Sequence, residues 1–173
     1  IMGCKNTIIP SSVESIERFA FSGSSLEQIT IPETVLSIGD YAFDDCTNLN
    51  TISFEGGKIE GRFDFSNCTS LEKVTNIPEG VTDISSAFSY CENIKEVPDI
   101  PASVMNMDST FYGCTSLINT PNIPEDVTSL FETFKNCERL VEAPILHEGI
   151  VNLSGTFSRC EALAEAPKLP ETV

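Results

Sequence analysis

Hydrophobic residues recur along this chain at short, regular intervals. In the unit that begins at residue 77, the apolar positions are separated by three or four residues, and they are Val81, Ile84, Phe88, Cys91, Ile94, Val97 and Ile100. That spacing alone is typical of an amphipathic helix. However, prolines such as Pro78, Pro98 and Pro101 would each remove a helical hydrogen bond and clash with the preceding turn. We therefore interpret each unit as one coil of a solenoid, whose apolar side chains point inward and stack on like residues of the next coil.

Three sets of positions repeat together at intervals of 22 or 23 residues. The Phe column consists of Phe21, Phe43, Phe65, Phe88, Phe111, Phe134 and Phe157. The Cys column consists of Cys46, Cys68, Cys91, Cys114, Cys137 and Cys160. A third set, mostly proline, opens the units at Pro10, Pro32, Glu55, Pro78, Pro101, Pro124, His147 and Pro170. A fixed period of this length is the signature of stacked repeats. The sequence therefore predicts a β-rich repeat solenoid of about 23 residues per coil, with short parallel strands and short helical or 3₁₀ turns.

The units fall into two sub-types. Segments 29–31 and 52–54 alternate β-branched or aromatic residues with polar ones, which predicts short strands. Later units carry a proline in the same place, as in Val97-Pro98, and proline cannot donate to a parallel ladder. We therefore expect this strand to weaken or break after about residue 75. The Val-x-x-Ile segments, such as 81–84, are then expected to carry more of the sheet.

These sub-types set the predicted domain organisation. Residues 1–9 form a lead-in, and residues 10–173 form a single solenoid of about seven repeats. Within it we expect the first sub-type at 10–54, a degenerate repeat at 55–77 and the Pro-rich sub-type at 78–173, whose last repeat is truncated. The three glycines of the degenerate repeat indicate either a tight turn that joins the sub-types or an irregularity that contacts a ligand. Because the chain stops within a repeat, we expect it to be a piece of a longer protein.

The residues between Leu26 and Leu49 carry a resemblance to a known family. Their pattern is Leu26-x-x-Ile29-x-Ile31-Pro32-x-x-Val35-x-x-Ile38-Gly39-x-x-Ala42-Phe43-x-x-Cys46-x-x-Leu49. It resembles the BspA-type leucine-rich repeat, and the match runs from about residue 9 to the end. The resemblance implies a leucine-rich-repeat-like solenoid. It also implies an extracellular or cell-surface location, since members are typically surface or secreted proteins of bacteria and some protists. Several are associated with adhesion and with binding of host extracellular proteins.

The charge of the chain narrows the range of partners. Lys and Arg number 10 against 26 Asp and Glu, a formal net charge of -16. Nucleic acid and anionic membrane surfaces are therefore disfavoured, because both are bound by clustered Lys and Arg. No apolar run approaches the length of about 18 residues that a transmembrane helix requires, so direct membrane insertion is not expected.

The spacing of the cysteines bears on their chemistry. No two cysteines lie closer than 22 residues, whereas zinc sites use close pairs such as Cys-x-x-Cys. Side chains stacked in register hold their Cβ atoms about 5 Å apart, which is wider than a disulfide prefers. We interpret the Cys column as buried, reduced thiols that act as small core residues. Disulfides and metal binding are the less favoured alternatives. The Phe column is interpreted as the hydrophobic spine of the same core.

An acidic set of positions is the candidate binding surface. One such position recurs every 23 residues in the later units, and its residues are Glu96, Asn119, Glu142 and Glu165. This column is either an ordinary solvated face or a face for cationic protein partners or weakly bound Ca²⁺.

No catalytic constellation is present in the sequence. The single histidine, His147, has no partnered nucleophile and occupies a proline position, which indicates a turn residue. No phosphate-binding loop follows a strand, so no cofactor and no enzymatic activity are expected. Two hypotheses stay open: a module that binds a host or bacterial surface protein or glycan, and a structural spacer that displays another domain. Exposed aromatic residues on one lateral face would favour the first, and uniformly short polar side chains the second.

Overall fold

The chain winds into a succession of short strands and turns that stack coil upon coil. The structure is a computed structural model and describes residues 5–169 and 171. Within them, eight strands occur: β1 (Asn6–Ile8), β2 (Ser15–Ile16), β3 (Gln28–Ile31), β4 (Ser37–Ile38), β5 (Thr51–Phe54), β6 (Lys58–Arg62), β7 (Lys73–Val74) and β8 (Glu79–Asp83). The predicted lead-in is therefore described only from residue 5, and Cys4 and Pro170 lie outside the described residues.

A four-stranded parallel sheet, in the order β1-β3-β5-β7, lines one side of the first coils. Its register places Ile29 opposite Ile52, and Ile52 opposite Val74. In β3, Ile29 and Ile31 are buried while Gln28 and Thr30 face solvent, as the alternating pattern predicts. The predicted strands are thus confirmed. The sheet ends at β7, immediately before the repeats that carry the extra proline.

The Val-x-x-Ile segments form a second, weaker ladder. Strand β2 pairs with β4, and β6 pairs with β8, all in parallel. Beyond β8 the ladder is reduced, among the described residues, to the isolated bridges Asp83–Asn106 and Ser129–Asn152. We expected the Val-x-x-Ile segments of the later units to carry more of the sheet. They do so only in β8 and at these two bridges.

The segment around each Phe of the Phe column forms consecutive tight turns. No helix occurs among residues 5–169, so the expectation of short helical turns is corrected. The reason lies in the backbone: Tyr41 and Asp45, on either side of Phe43, both have φ of 57°. A helix needs an unbroken run of right-handed residues, and left-handed ones interrupt it. The same alternation recurs along the stack. Left-handed residues two before or two after a column Phe are Phe19, Gly23, Tyr41, Asp45, Asn67, Ser86, Tyr90, Ser109, Gly113, Glu132, Asn136, Gly155 and Arg159.

These turns are joined to one another by hydrogen bonds along the solenoid axis. The main-chain N–H of Phe88 donates to the oxygen of Thr110 at 3.1 Å, and Phe111 donates to Thr133 at 3.0 Å. Inside the stack, the rings of the Phe column lie nearly parallel, with neighbouring centroids 4.9–6.3 Å apart. Because some main-chain donors of the turn find their partner in the next coil, each coil helps to complete the one before it.

The widest gap in the Phe column lies between Phe65 and Phe88, at 6.3 Å. Phe63, from the degenerate repeat, fills that place. Its centroid lies 5.5 Å from that of Phe65 and 5.7 Å from that of Phe88, and its side chain is fully buried. Phe54 packs on the same ring at 6.0 Å. The degenerate repeat thus adds an aromatic side chain to the core where the two sub-types of coil meet.

Glycines allow the backbone of this repeat to depart from its neighbours. Gly57 has φ of 77°, and a Cβ atom there would lie 2.5 Å from the main-chain oxygen of Glu33. Gly61, with φ of 83°, sits where the pairing of β6 with β8 slips in register. The glycines therefore serve a turn and a β-bulge at the junction.

Candidate functional site

The outward-facing positions within three residues of each column Phe form a surface that we call the turn face. Most of its side chains are polar, but exposed aromatic residues interrupt them. Two places hold a pair of rings, Phe19 with Tyr41 and Tyr90 with Tyr112, and a third holds the single ring of Phe131. Exposed aromatic groups of this kind are unusual on a polar surface and mark the turn face as the candidate site.

In the first aromatic cluster, the rings of Phe19 and Tyr41 stack with centroids 5.5 Å apart and planes 13° apart. They come from successive coils and are 52% and 43% exposed. The guanidinium carbon of Arg18 lies 4.5 Å from the centroid of Phe19 and 5.7 Å from that of Tyr41. The cation is therefore held against both rings, a geometry in which the ring quadrupoles attract it.

In the second aromatic cluster, Tyr90 and Tyr112 lie with centroids 5.2 Å apart. Tyr90 is 44% exposed and lies across Gly113, where a Cβ atom would come within 2.8 Å of its ring. Lys135 lies 5.4 Å from the centroid of Tyr112 and forms an ion pair with Glu132 at 2.7 Å. A hydrogen bond with Tyr112 raises the pKa of Tyr90, so the Tyr90 phenol is neutral near pH 7.

Polar side chains connect the two clusters. Ser66 and Asn67 each donate a hydrogen bond to Asp44, at 3.1 and 3.0 Å. Ser66 also donates to the buried Asp64 at 2.6 Å. Asp45 and Asn67 are exposed on the same strip. The middle of the turn face therefore offers carboxylate and amide groups rather than an apolar patch.

The acidic column predicted from sequence lies on a different face. Glu96, Asn119, Glu142 and Glu165 are all exposed. They continue, at the repeat interval, the outward positions of the main sheet that begin with Gln28, Thr51 and Lys73.

The structure does not bring this column together with either aromatic cluster. Glu142 and Glu165 line an open groove of about 840 Å³ between the last two coils, next to Ile145, which is 94% exposed.

The Cys column forms a regular hydrogen-bond ladder inside the solenoid. Each thiol donates to the main-chain oxygen of the column Phe of the preceding coil, as Cys114 does to Phe88 at 3.1 Å and Cys160 to Phe134 at 3.0 Å. Cys46 and the rest of the column are free thiols. Burial raises the pKa of Cys114 well above its usual value and that of Cys160 to about 11, so these thiols carry their protons at neutral pH. Their position is that of small core residues with one satisfied donor each.

Other candidate chemistry is sparse within residues 5–169. No group of three or more His, Cys, Asp or Glu side chains is placed to hold a metal ion in that range. His147 lies in a turn, where its Nδ1 accepts from the N–H of Gly149 at 3.1 Å and its Nε2 lies 3.1 Å from the oxygen of Pro124. Its role is to close the turn that proline closes in other coils. No helix of the described residues is long and apolar enough to cross a membrane.

Sequence reasoning did not single out the two aromatic clusters. The signal was present in the spacing, because Phe19 and Tyr41, and likewise Tyr90 and Tyr112, are 22 residues apart. Residues one repeat apart lie side by side on neighbouring coils, so aromatic pairs at this interval meet on the surface.

Comparisons with known proteins agree with this architecture. A leucine-rich repeat protein of T. pallidum superposes with a TM-score of 0.76 at 26% identity, covering 91% of this chain and 77% of that one. A leucine-rich repeat protein of Bacteroides ovatus gives a TM-score of 0.78 at 30% identity, over 93% of this chain and 42% of that one. A leucine-rich cell surface protein of Faecalibacterium prausnitzii gives 0.60 at 26%, over 89% and 51%. This chain thus spans about half or less of the latter two.

No curated protein matches the sequence. The sequence model of the BspA-type leucine-rich repeat region matches residues 2–114 and 58–173, in six copies, and together these cover nearly the whole chain. The solenoid architecture, the repeat period and this match agree. The chain therefore belongs to the BspA-type leucine-rich repeat family.

Proposed function

We propose that this chain is a non-enzymatic binding module of a cell-surface or extracellular protein, and that it binds its partner through the turn face. The observation that carries the proposal is the pair of exposed aromatic clusters, each with a cation held against a ring. Aromatic residues and arginine are the side chains that most often dominate binding energy at interfaces. The exposed parts of these rings bury no area within the coil, so a partner is the better account of their exposure.

The surface location rests on the family and on one structural neighbour. BspA-type repeat proteins are typically surface proteins, and the F. prausnitzii neighbour is described as a cell surface protein. The partner class that fits is a host or bacterial surface protein or glycan. Nucleic acid is disfavoured by the net charge of -16.

A structural spacer is the second candidate. The regular, polar strip between the clusters and the rigid stack of coils both suit a stalk that displays another domain. The acidic column at Glu96, Asn119, Glu142 and Glu165 is, in that case, a solvated face that keeps the chain soluble.

A binding screen separates the two candidates. The purified chain is tested against extracellular-matrix proteins and a glycan array at low and physiological salt. The double variants Phe19→Ser with Tyr41→Ser, and Tyr90→Ser with Tyr112→Ser, remove one cluster each without touching the core. Loss of a hit in either variant supports binding through the turn face. Retention of every hit in both variants, with loss on reversing the charges of the acidic column, would move the binding site to that column. The absence of any hit would favour the spacer.

A further inference from the structure

The guanidinium of Arg18 carries unused hydrogen-bond donors. It contacts the rings of Phe19 and Tyr41, yet it forms no ion pair and donates no side-chain hydrogen bond within residues 5–169. Glu17, its neighbour in the chain, accepts instead from Ser15 at 3.0 Å, and Asp40, whose main-chain oxygen accepts from Phe19, pairs with Arg62 at 3.6 Å. In a chain of net charge -16, an arginine without a carboxylate partner is an available site for an anionic group.

The backbone beneath the rings is held in an uncommon conformation. Phe19 and Tyr41 have φ of 60° and 57°, a region that bulky side chains rarely adopt. The same position in later coils is occupied by Ser86, Ser109, Glu132 and Gly155, so the left-handed backbone belongs to the repeat itself. What is particular to the first coils is the aromatic side chain, and it gains little burial, since Phe19 and Tyr41 are 52% and 43% exposed.

The surroundings of the first aromatic cluster favour a carbohydrate over a protein. The centre of a protein interface is depleted in charged residues, whereas the strip beside this cluster presents Asp45, Asn67 and the hydrogen-bonded Asp44. Carboxylates and amides suit the hydroxyl groups of sugars, and ring faces suit the C–H face of a pyranose. Coils are also spaced by about 4.8 Å along the axis, which is close to the advance of one sugar in an extended oligosaccharide.

We propose that the turn face binds an oligosaccharide that carries an isolated carboxylated sugar. The carboxylate is bound by Arg18, and the pyranose rings pack on Phe19 and Tyr41. The chain of sugars runs along the solenoid axis towards Tyr90, which provides a second aromatic contact. Densely sulfated or uronate-rich polymers are excluded, because the net charge of -16 repels a polyanion. This inference rests on the proposed function and names the ligand class for the same face.

The test uses a matched set of ligands on the intact chain: a neutral oligosaccharide, the same oligosaccharide with a terminal carboxylated sugar, its methyl ester, and a sulfated polymer. Binding is measured by calorimetry or biolayer interferometry. We expect the carboxylated form to bind at least tenfold more tightly than the neutral form and the methyl ester. We expect Arg18→Gln to abolish that difference. Arg159→Gln is the matched control, since Arg159 is also an exposed arginine on the turn face but lies over no ring, and it should change nothing.

The possible outcomes are distinct. Equal binding of the neutral and carboxylated forms would overturn the role of Arg18. Preference for the sulfated polymer would overturn the charge argument. Binding of a protein partner that depends on Phe19 and Tyr41, with no glycan bound, would refute the ligand class while leaving the proposed function intact. Failure of every ligand and protein to bind would refute both.

Discussion

Replacing Phe63 with alanine should weaken the solenoid at its middle. The ring is fully buried and lies 5.5 Å from Phe65, 5.7 Å from Phe88 and 6.0 Å from Phe54, measured between centroids. Truncating a buried phenylalanine typically costs about 3–5 kcal/mol in unfolding free energy. That range already includes the energy of the aromatic contacts that the substitution removes. Since a domain is stable by only about 5–15 kcal/mol, the loss is a large share of the total.

The effect on cooperativity should be as informative as its size. In a solenoid each coil contacts only its neighbours, so a defect between coils uncouples the parts on either side. Phe63→Ala is expected to separate the unfolding of residues 5–62 from that of residues 78–169. The intact chain should unfold in one transition, and the variant in two.

Urea unfolding followed by far-UV circular dichroism measures both quantities, and the absence of tryptophan makes this a better probe than intrinsic fluorescence. Phe63→Leu, which keeps most of the volume, should cost under about 1.5 kcal/mol. Phe19→Ala is the surface control and should cost under about 0.5 kcal/mol. A loss below about 1 kcal/mol for Phe63→Ala, with a single transition, would show that this ring does not join the two sub-types of coil.

Three further predictions concern the core and the backbone. Phe111→Ala should lower the unfolding free energy by about 3–5 kcal/mol, and an unchanged thermal midpoint would contradict its central place in the stack. Burial raises the folded-state pKa of Cys114 well above 9.0, so its contribution to stability is present below pH 9 and is lost as the pH rises above it. Between pH 8 and 10 the loss amounts to about 1.4 kcal/mol in total, and Cys114→Ala should reduce the alkaline loss of stability in chemical denaturation by that amount; an unchanged loss would mean that the thiol ionises in the folded state. Gly57→Ala should cost several kcal/mol more than Gly56→Ala, because only at Gly57 does the new Cβ meet the oxygen of Glu33 at 2.5 Å; equal thermal shifts would refute the clash.

The architecture was within reach of sequence reasoning because it depends on patterns that repeat. Ile29 and Ile31 alternate with polar residues, so their strand and its buried face follow from the period. Pro98 cannot donate to a ladder, so the end of the main sheet before the Pro-rich repeats also follows.

Conformation at single positions was not predictable in this way. The turns around Phe43 looked long enough for one helical turn, but the left-handed backbone of Tyr41 and Asp45 depends on hydrogen bonds to neighbouring coils that no local pattern reveals. Phe63 lies two residues before Phe65 in the degenerate repeat and has no equivalent in the columns, so periodicity gave it no assigned place. It follows the register slip at Gly61, which no local pattern predicts.

The candidate site was missed for a different reason. The sequence drew attention to charge, in Glu96 and its equivalents, because acidic residues occupy that position in three of the four later units. Outside the Phe column, the aromatic pairs Phe19–Tyr41 and Tyr90–Tyr112 stand in two places and do not continue as a column. The meaning of the first pair depends on the ring contact with Arg18, which the sequence does not show.

The main-chain hydrogen bonds between turns have a mechanical consequence. They run along the solenoid axis, as from Phe111 to Thr133, so a force that pulls the two ends apart loads them one coil at a time rather than all together. Coils should then peel away singly and at low force. Each coil of 23 residues releases about 75–80 Å of chain when fully extended. A solenoid of this kind should lengthen under tension and recover by rewinding.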